Sequence, residues 1–421
     1  MSALGRLRGA LRVPGDKSAS HRALLISALA SGESSIAGLS PGADVRATRV
    51  IIEQLGAVVT PDRDGLMVVG PPGGLRQCAQ LLDCGNSGTA MRLLSGVVGG
   101  VRGRHLLVGD ESLSERPMDR VAEPLALMGV RVTGRGTHVR PPLTVEGSDQ
   151  LRATHYHLPV ASAQVKSAIL FAALHGDGAS VVTEDVRTRT TTEDMLRDAG
   201  VTVNSVSRGD GRVVTLQPGR PRAHQWRVLG DPSQAAFFAV LGVIHADAEL
   251  DILELDAAPE RIGFVAVLER MGATVAWRAG GRGSTLHTQS SSLVATEIFA
   301  HEIPSVDEVP ALAVAAAAAT GVSAFRNMGE LRVKESDRFA ASMALVHALG
   351  CRTWADGDDF FVDGLGEAGA FHSFQLAAKL DHRMVMSSTV AAAAGHGGVI
   401  EDADTVASSY PHFFDDLTSL Q

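Results

Sequence analysis

The chain has 421 residues, of which 45% are apolar and 20% are charged, and its formal net charge is −9. This size predicts a soluble globular protein of two or three domains, because a domain commonly holds about 150 residues. The negative charge and an aromatic content of 4% exclude a broad nucleic-acid-binding surface, which needs a basic face and stacking rings.

The first thirty residues contain six charged side chains, and so no uninterrupted apolar segment resembles a signal peptide or a membrane span. We therefore expect a cytoplasmic protein with no membrane or nucleic-acid partner, and we expect a monomer. Cys78, Cys84 and Cys351 are odd in number and lack metal-ligand spacing. This pattern predicts reduced thiols in the core and no metal site.

An apolar segment of small residues, typical of a helix buried on all sides, recurs along the chain. Its six copies begin near His21, Ala90, Ser162, Ser233, Val309 and Met386. Helices with alanine and glycine on every face can pack closely together, as several of them must if they fill one domain. Each repeat is predicted to contain a strand, the buried helix, further strands and an outer helix.

The outer helices are predicted from amphipathic segments that end in glycine before a strand-like run. The marker glycines are Gly56, Gly129, Gly200, Gly272 and Gly350. Their spacing of 71 to 78 residues divides the chain into about six repeats.

Six repeats predict an α/β fold of two similar domains with three repeats each. We place one domain at residues 15–229 and the other at residues 1–14 plus 230–421. The sixth outer helix, near residues 413–420, has no closing strand after it, while residues 4–13 have no preceding repeat. We therefore expect the N-terminal strand to complete the C-terminal domain, with a hinge where the chain crosses near residues 13–15 and 229–231.

Polar motifs stand immediately before the buried helices. They are residues 16–18, 86–89, 162–164, 231–233, 307–308 and 381–383. Free backbone N–H groups and the helix dipole attract anions to such ends, so these motifs predict a site for small anionic ligands. Simple capping by serine, asparagine and aspartate is the alternative.

Only four of the 38 basic side chains are lysine, and three of these lie in polar clusters: Lys17, Lys166 and Lys334. Arginine stays protonated in proteins, whereas a lysine can transfer a proton, so these positions are candidates for chemistry. Chance clustering is the alternative.

A second set of polar motifs stands before the outer helices, at residues 114–118, 187–189 and 334–338. If the last of these is helical, Lys334 and Arg338 share one face, with Glu335 beside Arg338. An ion-pair ladder on the surface would look the same. The nearby Asp307 and Arg383 favour a functional cluster.

Five of these motifs closely resemble the 5-enolpyruvylshikimate-3-phosphate (EPSP) synthase family. They are residues 15–22 (GDKSASHR), 85–92 (GNSGTAMR), 115–118 (ERPM), 331–338 (LRVKESDR) and 381–383 (DHR). The resemblance covers essentially the whole chain in order. It implies two similar domains, each an inside-out α/β barrel of three βαβαββ units, joined by a double crossover, which agrees with the repeat count.

The resemblance implies an enzyme, a 3-phosphoshikimate 1-carboxyvinyltransferase of the shikimate pathway of aromatic amino-acid biosynthesis. Such an enzyme transfers the enolpyruvyl group of phosphoenolpyruvate to the 5-hydroxyl of shikimate 3-phosphate and releases phosphate. No metal or organic cofactor is implied.

Matching positions suggest which residues bind each substrate. For shikimate 3-phosphate they are Lys17, Ser18, Arg22, Ser162, Gln164, Arg189, Asp307 and Lys334. For phosphoenolpyruvate they are Lys17, Gly88, Arg116, Gln164, Arg338 and Arg383.

The resemblance also suggests four catalytic residues, namely Lys17, Asp307, Lys334 and Glu335. Asp307 would accept the proton of the attacking 5-hydroxyl, and Lys334 would orient that oxygen. Glu335 would protonate the methylene carbon of phosphoenolpyruvate. Which of Lys17, Asp307 and Glu335 moves each proton in the elimination step stays open.

The chain departs from the family pattern at three positions. Ser408 stands where many relatives have a lysine that contacts phosphoenolpyruvate, Ala163 replaces a frequent serine, and Leu93 replaces a common proline. Gly88 matches the glycine that leaves room for glyphosate, so the resemblance predicts a glyphosate target.

Two other functions are compatible with the same fold. The enolpyruvyl transferase acting on UDP-N-acetylglucosamine shares the fold and the donor but relies on a loop cysteine, and no cysteine lies between Cys84 and Cys351. A non-catalytic scaffold or ligand sensor would need no proton-transfer groups, yet Lys17, Asp307 and Glu335 are present.

The candidate residues are divided between the two predicted domains. We expect repulsion among the cations to hold an empty cleft open and anionic substrates to close it.

Overall fold

The computed structural model describes residues 1–303 and 305–421 of the chain. The chain forms two compact units, which we call the N-terminal unit (Lys17–Val228) and the C-terminal unit (Met1–Asp16 with Leu229–Gln421). These boundaries differ by at most two residues from the predicted domains, which were residues 15–229 and residues 1–14 plus 230–421. The first strand, β1 (Leu7–Leu11), belongs to the C-terminal unit.

The N-terminal unit contains three repeats. The first holds α1 (Lys17–Leu29), β2 (Glu33–Ala37), α2 (Ala43–Gln54), β3 (Val58–Asp62) and β4 (Gly65–Val69). The second holds β5 (Leu82–Asp83), α3 (Gly88–Gly99), β6 (Gly103–Val108), α4 (Glu111–Ser114), α5 (Asp119–Leu127), β7 (Arg131–Arg135) and β8 (Arg140–Gly147). The third holds β9 (His155–His157), α6 (Ala163–Ala173), β10 (Ser180–Glu184), α7 (Thr191–Asp198), β11 (Val203–Arg208) and β12 (Gly211–Leu216), and β13 (Gln225–Arg227) follows it.

Each repeat of this unit builds a four-stranded sheet with the same strand order. The orders are β13-β2-β4-β3, β5-β6-β8-β7 and β9-β10-β12-β11. In every sheet the first strand is parallel to the second, and the last three form antiparallel pairs. Because β13 supplies the first strand of the first repeat, the end of the unit closes onto its beginning.

The helices α1, α3 and α6 are almost completely buried and form the centre of the unit. Their alanine- and glycine-rich sequences permit this packing. A Cβ atom at Gly96 of α3 would lie 2.1 Å from the carbonyl oxygen of Ala168 in α6, so only glycine allows these two backbones to approach.

The C-terminal unit continues the pattern after the second crossing. Its fourth repeat holds α8 (Pro232–Ile244), β14 (Ala248–Leu255), α9 (Gly263–Arg270), β15 (Thr274–Ala279) and β16 (Ser284–Gln289). The fifth holds β17 (Glu297–Phe299), α10 (Val309–Ala317), β18 (Thr320–Arg326), α11 (Arg338–Ala348), β19 (Arg352–Asp356) and β20 (Asp359–Leu365). The sixth holds β21 (Phe374–Ala377), α12 (His382–Ala394), β22 (Gly398–Glu401) and α13 (Phe413–Thr418). Short 3-10 helices lie at Pro259–Arg261, Ala300–Glu302, Gly329–Val333, Ala368–Ala370 and Ala403–Ser408.

Strand β1 is parallel to β14 and completes the four-stranded sheet of the fourth repeat, in the order β1-β14-β16-β15. The N-terminal segment therefore completes a sheet of the C-terminal unit. In the described part of the chain, the sixth repeat has a sheet of two strands, β21 and β22. The two crossing segments are adjacent, because the backbone N–H of Asp16 donates to Leu229 and that of Asp231 donates to Pro14.

The structure confirms the predicted buried helices and the predicted glycine turns. Helices α8, α10 and α12 are buried along nearly their whole length, as are α1, α3 and α6. All five marker glycines have a positive φ, between 80° and 102°, which residues with a Cβ rarely adopt. Of the three free cysteines, Cys84 and Cys351 are buried, and Cys78 is partly buried and packs against the core of the N-terminal unit.

No helix among the described residues is both long and apolar enough to cross a membrane.

Candidate active site

The buried helices of the N-terminal unit carry its candidate residues at their N-terminal ends. Lys17 and Ser18 begin α1, Gly88 begins α3, and Ser162 caps α6 by accepting a hydrogen bond from the backbone N–H of Val165 at 3.3 Å. Ser87 caps α3 in the same way, through the N–H of Ala90 at 3.1 Å. The capping that the sequence offered as an alternative is therefore present at Ser87 and Ser162.

Arg22 and Arg189 lie around Ser18. The Arg22 guanidinium donates to the Ser18 carbonyl at 2.9 Å, while Nη1 of Arg189 donates to the Ser18 hydroxyl at 3.5 Å. Arg22 is buried and also contacts Ser167 and Thr192. The structure thus brings two guanidinium groups together beside the first turn of α1, an arrangement that suits a phosphate ligand.

Gln164 and Gly88 lie within a second part of the same cluster. Gln164 accepts a hydrogen bond from Nη1 of Arg92 at 2.7 Å and donates to Thr89 at 2.9 Å. A Cβ atom at Gly88 would lie 2.6 Å from Nη1 of Arg116 and 3.0 Å from Nη1 of Arg92. Arg116 therefore approaches the backbone of α3 closely, and a side chain at Gly88 would displace it.

Lys17 forms an ion pair with Asp44, at 2.9 Å between Nζ and Oδ2. Both side chains are largely buried, and Asp44 stands in the first turn of α2. Asp44 and Arg92 are functional candidates that were not predicted as site residues from the sequence. Arg92 ends the family motif at residues 85–92, so the sequence did carry a signal for it.

The C-terminal unit holds a second cluster around the Arg338 guanidinium. Nε and Nη2 of Arg338 contact the two oxygens of Asp381 at 2.8 and 3.1 Å. Nη1 contacts Asp307 at 2.9 Å, and Nη2 lies 2.6 Å from Glu335. Arg383 approaches the other oxygen of Asp307 at 3.3 Å. The structure therefore joins Asp307, Glu335, Arg338 and Arg383 in one network.

The expected helical pairing of Lys334 with Arg338 is wrong. Asp337 caps α11, so the helix begins at Arg338 and excludes Lys334. The contact of Glu335 with Arg338 is nevertheless present. Since the Arg338 side chain is completely buried, the alternative of an ion-pair ladder on the surface is wrong as well.

The charges of this cluster shift the pKa values of two candidates. Burial raises the pKa of the Asp307 carboxyl, but Arg383, Lys334 and Arg338 outweigh that effect and hold the pKa well below its usual range. Burial lowers the pKa of the Lys334 ammonium, and the attraction of Asp307, Glu330 and Glu335 offsets only part of this. At neutral pH Asp307 is therefore a carboxylate, and Lys334 is more easily deprotonated than an exposed lysine.

Asp381 was noted in the sequence for its motif but was not chosen as a site residue. Burial raises the pKa of its carboxyl, and Arg338 more than offsets this, so that the pKa lies below its usual value. Asp381 also caps α12 through the N–H of Arg383 at 2.9 Å. Ser408, at the position of the family lysine, lies 3.2 Å from Nδ1 of His382, next to Arg383.

Two units built from repeats of strands and helices, with arginines and lysines gathered at or near the N-terminal ends of helices, define a class of α/β protein suited to small anionic ligands. Comparison with known proteins makes this specific. The sequence pattern of EPSP synthase (3-phosphoshikimate 1-carboxyvinyltransferase) matches residues 1–417. The chain belongs to the EPSP synthase family.

Individual relatives agree over nearly their whole length. The chain is 42% identical over 426 residues to a 3-phosphoshikimate 1-carboxyvinyltransferase of Anaeromyxobacter sp. (strain Fw109-5), covering 99% of this chain and 96% of the relative. It is 39% identical over 422 residues to one of Streptococcus equi subsp. zooepidemicus (strain H70), covering 98% and 97%. The solved EPSP synthase of Acinetobacter baumannii is 34% identical, with a TM-score of 0.85 over 100% of this chain and 97% of that structure. These comparisons confirm the predicted family and fold class.

Proposed function

We propose that this enzyme transfers the enolpyruvyl group of phosphoenolpyruvate to the 5-hydroxyl of shikimate 3-phosphate and releases phosphate. Its membership of the EPSP synthase family supports this reaction. The observation that carries the proposed chemistry is the network in which Asp307 contacts Arg338 and Arg383, with Glu335 on the same guanidinium.

The proposed roles divide between the two clusters. Arg22, Arg189, Ser18 and Ser162 of the N-terminal unit are assigned to shikimate 3-phosphate, and Gly88 and Arg116 to phosphoenolpyruvate. Lys17 and Gln164 contribute to both substrates. In the C-terminal unit, Arg338 and Arg383 are assigned to the anionic groups of phosphoenolpyruvate, because guanidinium groups bind carboxylate and phosphate well.

In the addition step, Asp307 accepts the proton of the 5-hydroxyl while that oxygen forms a bond to C2 of phosphoenolpyruvate. Lys334 orients the oxygen, and Glu335 donates a proton to C3, which becomes a methyl group. In the elimination step the bond from C2 to the phosphate oxygen breaks, a proton leaves the methyl group, and the double bond forms again. Lys17, Asp307 and Glu335 are the candidates for these proton transfers.

Substrate binding should activate Asp307. Its two arginine partners stabilise the carboxylate and so make it a weak proton acceptor. The anionic groups of phosphoenolpyruvate would compete with Asp307 for Arg338 and Arg383. A carboxylate that loses part of this pairing becomes more basic, so proton acceptance would depend on the presence of the donor.

A phosphate-release assay tests the proposed function, with phosphoenolpyruvate as donor and either shikimate 3-phosphate or UDP-N-acetylglucosamine as acceptor. With phosphoenolpyruvate present, we expect phosphate release when shikimate 3-phosphate is the acceptor and none when UDP-N-acetylglucosamine is the acceptor. Release with the nucleotide sugar would favour the rival transferase. Binding of both proposed substrates without turnover would favour a sensor.

We also propose that the enzyme acts in the cytoplasm as a monomer and that glyphosate inhibits it. The free thiols support a reducing compartment. Light scattering should report the mass of one chain.

A further inference from the structure

Lys166 is one of the four lysines of the chain, and the proposed reaction does not use it. Its ammonium lies inside the N-terminal unit, 2.7 Å from Oε1 of Glu193 and 3.1 Å from Oε2 of Glu184. All three side chains are at most 1% exposed. We call Lys166, Glu184 and Glu193 the buried triad.

The charge of the buried triad is not balanced within it. One ammonium faces two carboxylates, and burying such charged groups costs desolvation free energy. Replacing a buried ion pair by apolar side chains of similar volume is often neutral or stabilising. This arrangement therefore points to a role beyond holding the fold together.

The Arg22 guanidinium contacts two residues that adjoin members of the buried triad in the sequence. Its Nε donates to Thr192 at 2.5 Å, and its Nη2 donates to Ser167 at 2.7 Å. These two hydroxyl groups contact each other at 2.6 Å. Thr192 precedes Glu193 and Ser167 follows Lys166, so the elements that carry the triad also hold the buried guanidinium.

Glu184 connects the buried triad to Arg189. It accepts a hydrogen bond from the backbone N–H of Thr188 at 3.2 Å and another from the Thr188 hydroxyl at 2.7 Å. Thr188 directly precedes Arg189, whose guanidinium approaches Ser18. Glu184 thereby holds the segment between β10 and α7 in place.

Lys166 itself stands on α6, two residues after Gln164 and four after the cap Ser162. The buried triad thus joins α6, the end of β10 and the first turn of α7. Each of these three elements borders or carries residues assigned to shikimate 3-phosphate.

We infer that Lys166, Glu184 and Glu193 are positioning residues for the phosphorylated acceptor, an inference that rests on the proposed function. They set the positions of Arg22 and Arg189 without touching substrate. Thr192 and Ser167, which stand on the helices that carry Glu193 and Lys166, hold the Arg22 guanidinium through hydrogen bonds.

The test compares Glu184→Gln and Thr188→Val with the unmodified enzyme. Each change weakens the contact that holds the Arg189 segment. We expect the Kd for shikimate 3-phosphate to rise about tenfold, the effect of losing one hydrogen bond to a charged group, while the KM for phosphoenolpyruvate stays within about twofold. Lys166→Met should give a larger loss, because it leaves two buried carboxylates without a cation.

Arg220→Met is the matched control for general destabilisation. Arg220 donates hydrogen bonds to the carbonyls of Leu29, Ala30, Pro71 and Pro72, beyond the opposite end of α1 from Lys17. This variant should lower the melting temperature and leave the Kd for shikimate 3-phosphate unchanged.

The outcomes separate the inference from the function on which it rests. An unmodified enzyme that neither binds shikimate 3-phosphate nor releases phosphate overturns the proposed function. An active enzyme whose affinity is unchanged by both Glu184→Gln and Thr188→Val overturns the positioning role. An equal loss of affinity in Arg220→Met overturns it too. If Glu184→Gln does not fold, the Kd of Thr188→Val for shikimate 3-phosphate alone tests the positioning role.

Discussion

The Arg338 guanidinium and the Asp381 carboxylate form a completely buried two-point contact, with nitrogen–oxygen distances of 2.8 and 3.1 Å. This contact fixes the plane of the guanidinium and aims its remaining nitrogen at Asp307. A lysine has one charged nitrogen and cannot reproduce that geometry.

Arg338→Lys should therefore lower kcat/KM for phosphoenolpyruvate by about 10²-fold, because a buried carboxylate loses its paired partner. Steady-state kinetics with the donor varied would measure this. Arg332→Lys, on a half-exposed side chain nearby, is the control and should change little. Equal effects of the two substitutions would contradict a specific role of Arg338.

Asp307→Asn should reduce kcat by about 10²- to 10⁴-fold, because the amide cannot accept the proton of the attacking hydroxyl. Binding of shikimate 3-phosphate should largely persist, since most of its assigned partners lie on the N-terminal unit. Phosphate release and equilibrium binding would be measured on the same preparations. Asp404→Asn changes an exposed residue and is the control. Unchanged turnover in Asp307→Asn would contradict the assignment of Asp307 as the proton acceptor.

The Lys334 pKa predicts the basic limb of the pH profile. Its charged form orients the hydroxyl oxygen, so activity should fall as the pH rises through this pKa. Because burial lowers the Lys334 pKa, the fall in kcat/KM should occur below the ordinary lysine value of about 10.4. Lys334→Arg should be less active but should keep that activity to higher pH. If the fall in activity occurs at the same pH in Lys334→Arg as in the unmodified enzyme, a group other than Lys334 causes it.

Gly88→Ala should relieve inhibition by glyphosate. The added methyl group would lie 2.6 Å from the Arg116 guanidinium, which is the mobile end of its side chain and must shift. The KM for phosphoenolpyruvate should rise as well. Gly219→Ala places its methyl group in open space and is the control. Near-normal turnover of the unmodified enzyme in millimolar glyphosate would contradict the prediction.

Ser408→Lys should strengthen binding of phosphoenolpyruvate. Ser408 contacts His382, the neighbour of Arg383, so a lysine here would add a cation close to a residue assigned to the donor. We expect the KM for phosphoenolpyruvate to fall by about threefold to tenfold. Ser408→Ala removes the same hydroxyl without adding charge, and a matching change in that variant would refute the explanation.

The repeated helices and turns were predictable because their signals are local. A run of small apolar residues indicates a buried helix wherever it occurs, and glycine after an amphipathic segment indicates a turn with positive φ. The residues around Lys334 show where this fails. A helical pattern continues through them, but Asp337 caps the following helix and starts it at Arg338.

The contacts that complete the site depend on packing between repeats. Arg92 meets Gln164 across 72 positions, and Arg22 meets Thr192 across 170. Periodicity places each residue on its own helix but does not determine which side chains face each other. The five family motifs supplied most of the candidate residues, but Ser162, Gln164, Arg189 and Asp307 lie outside them.

The pairing of β1 with β14 joins Leu7 to Ala248 in one sheet. On the ribosome, all of the N-terminal unit emerges and can fold before this partner has been made. Until β14 has been synthesised, the backbone groups of the first strand lack their partner strand and can pair with other nascent chains. A bulky fusion partner placed ahead of residue 7 would therefore hinder maturation of the C-terminal unit and spare the unit that is synthesised first.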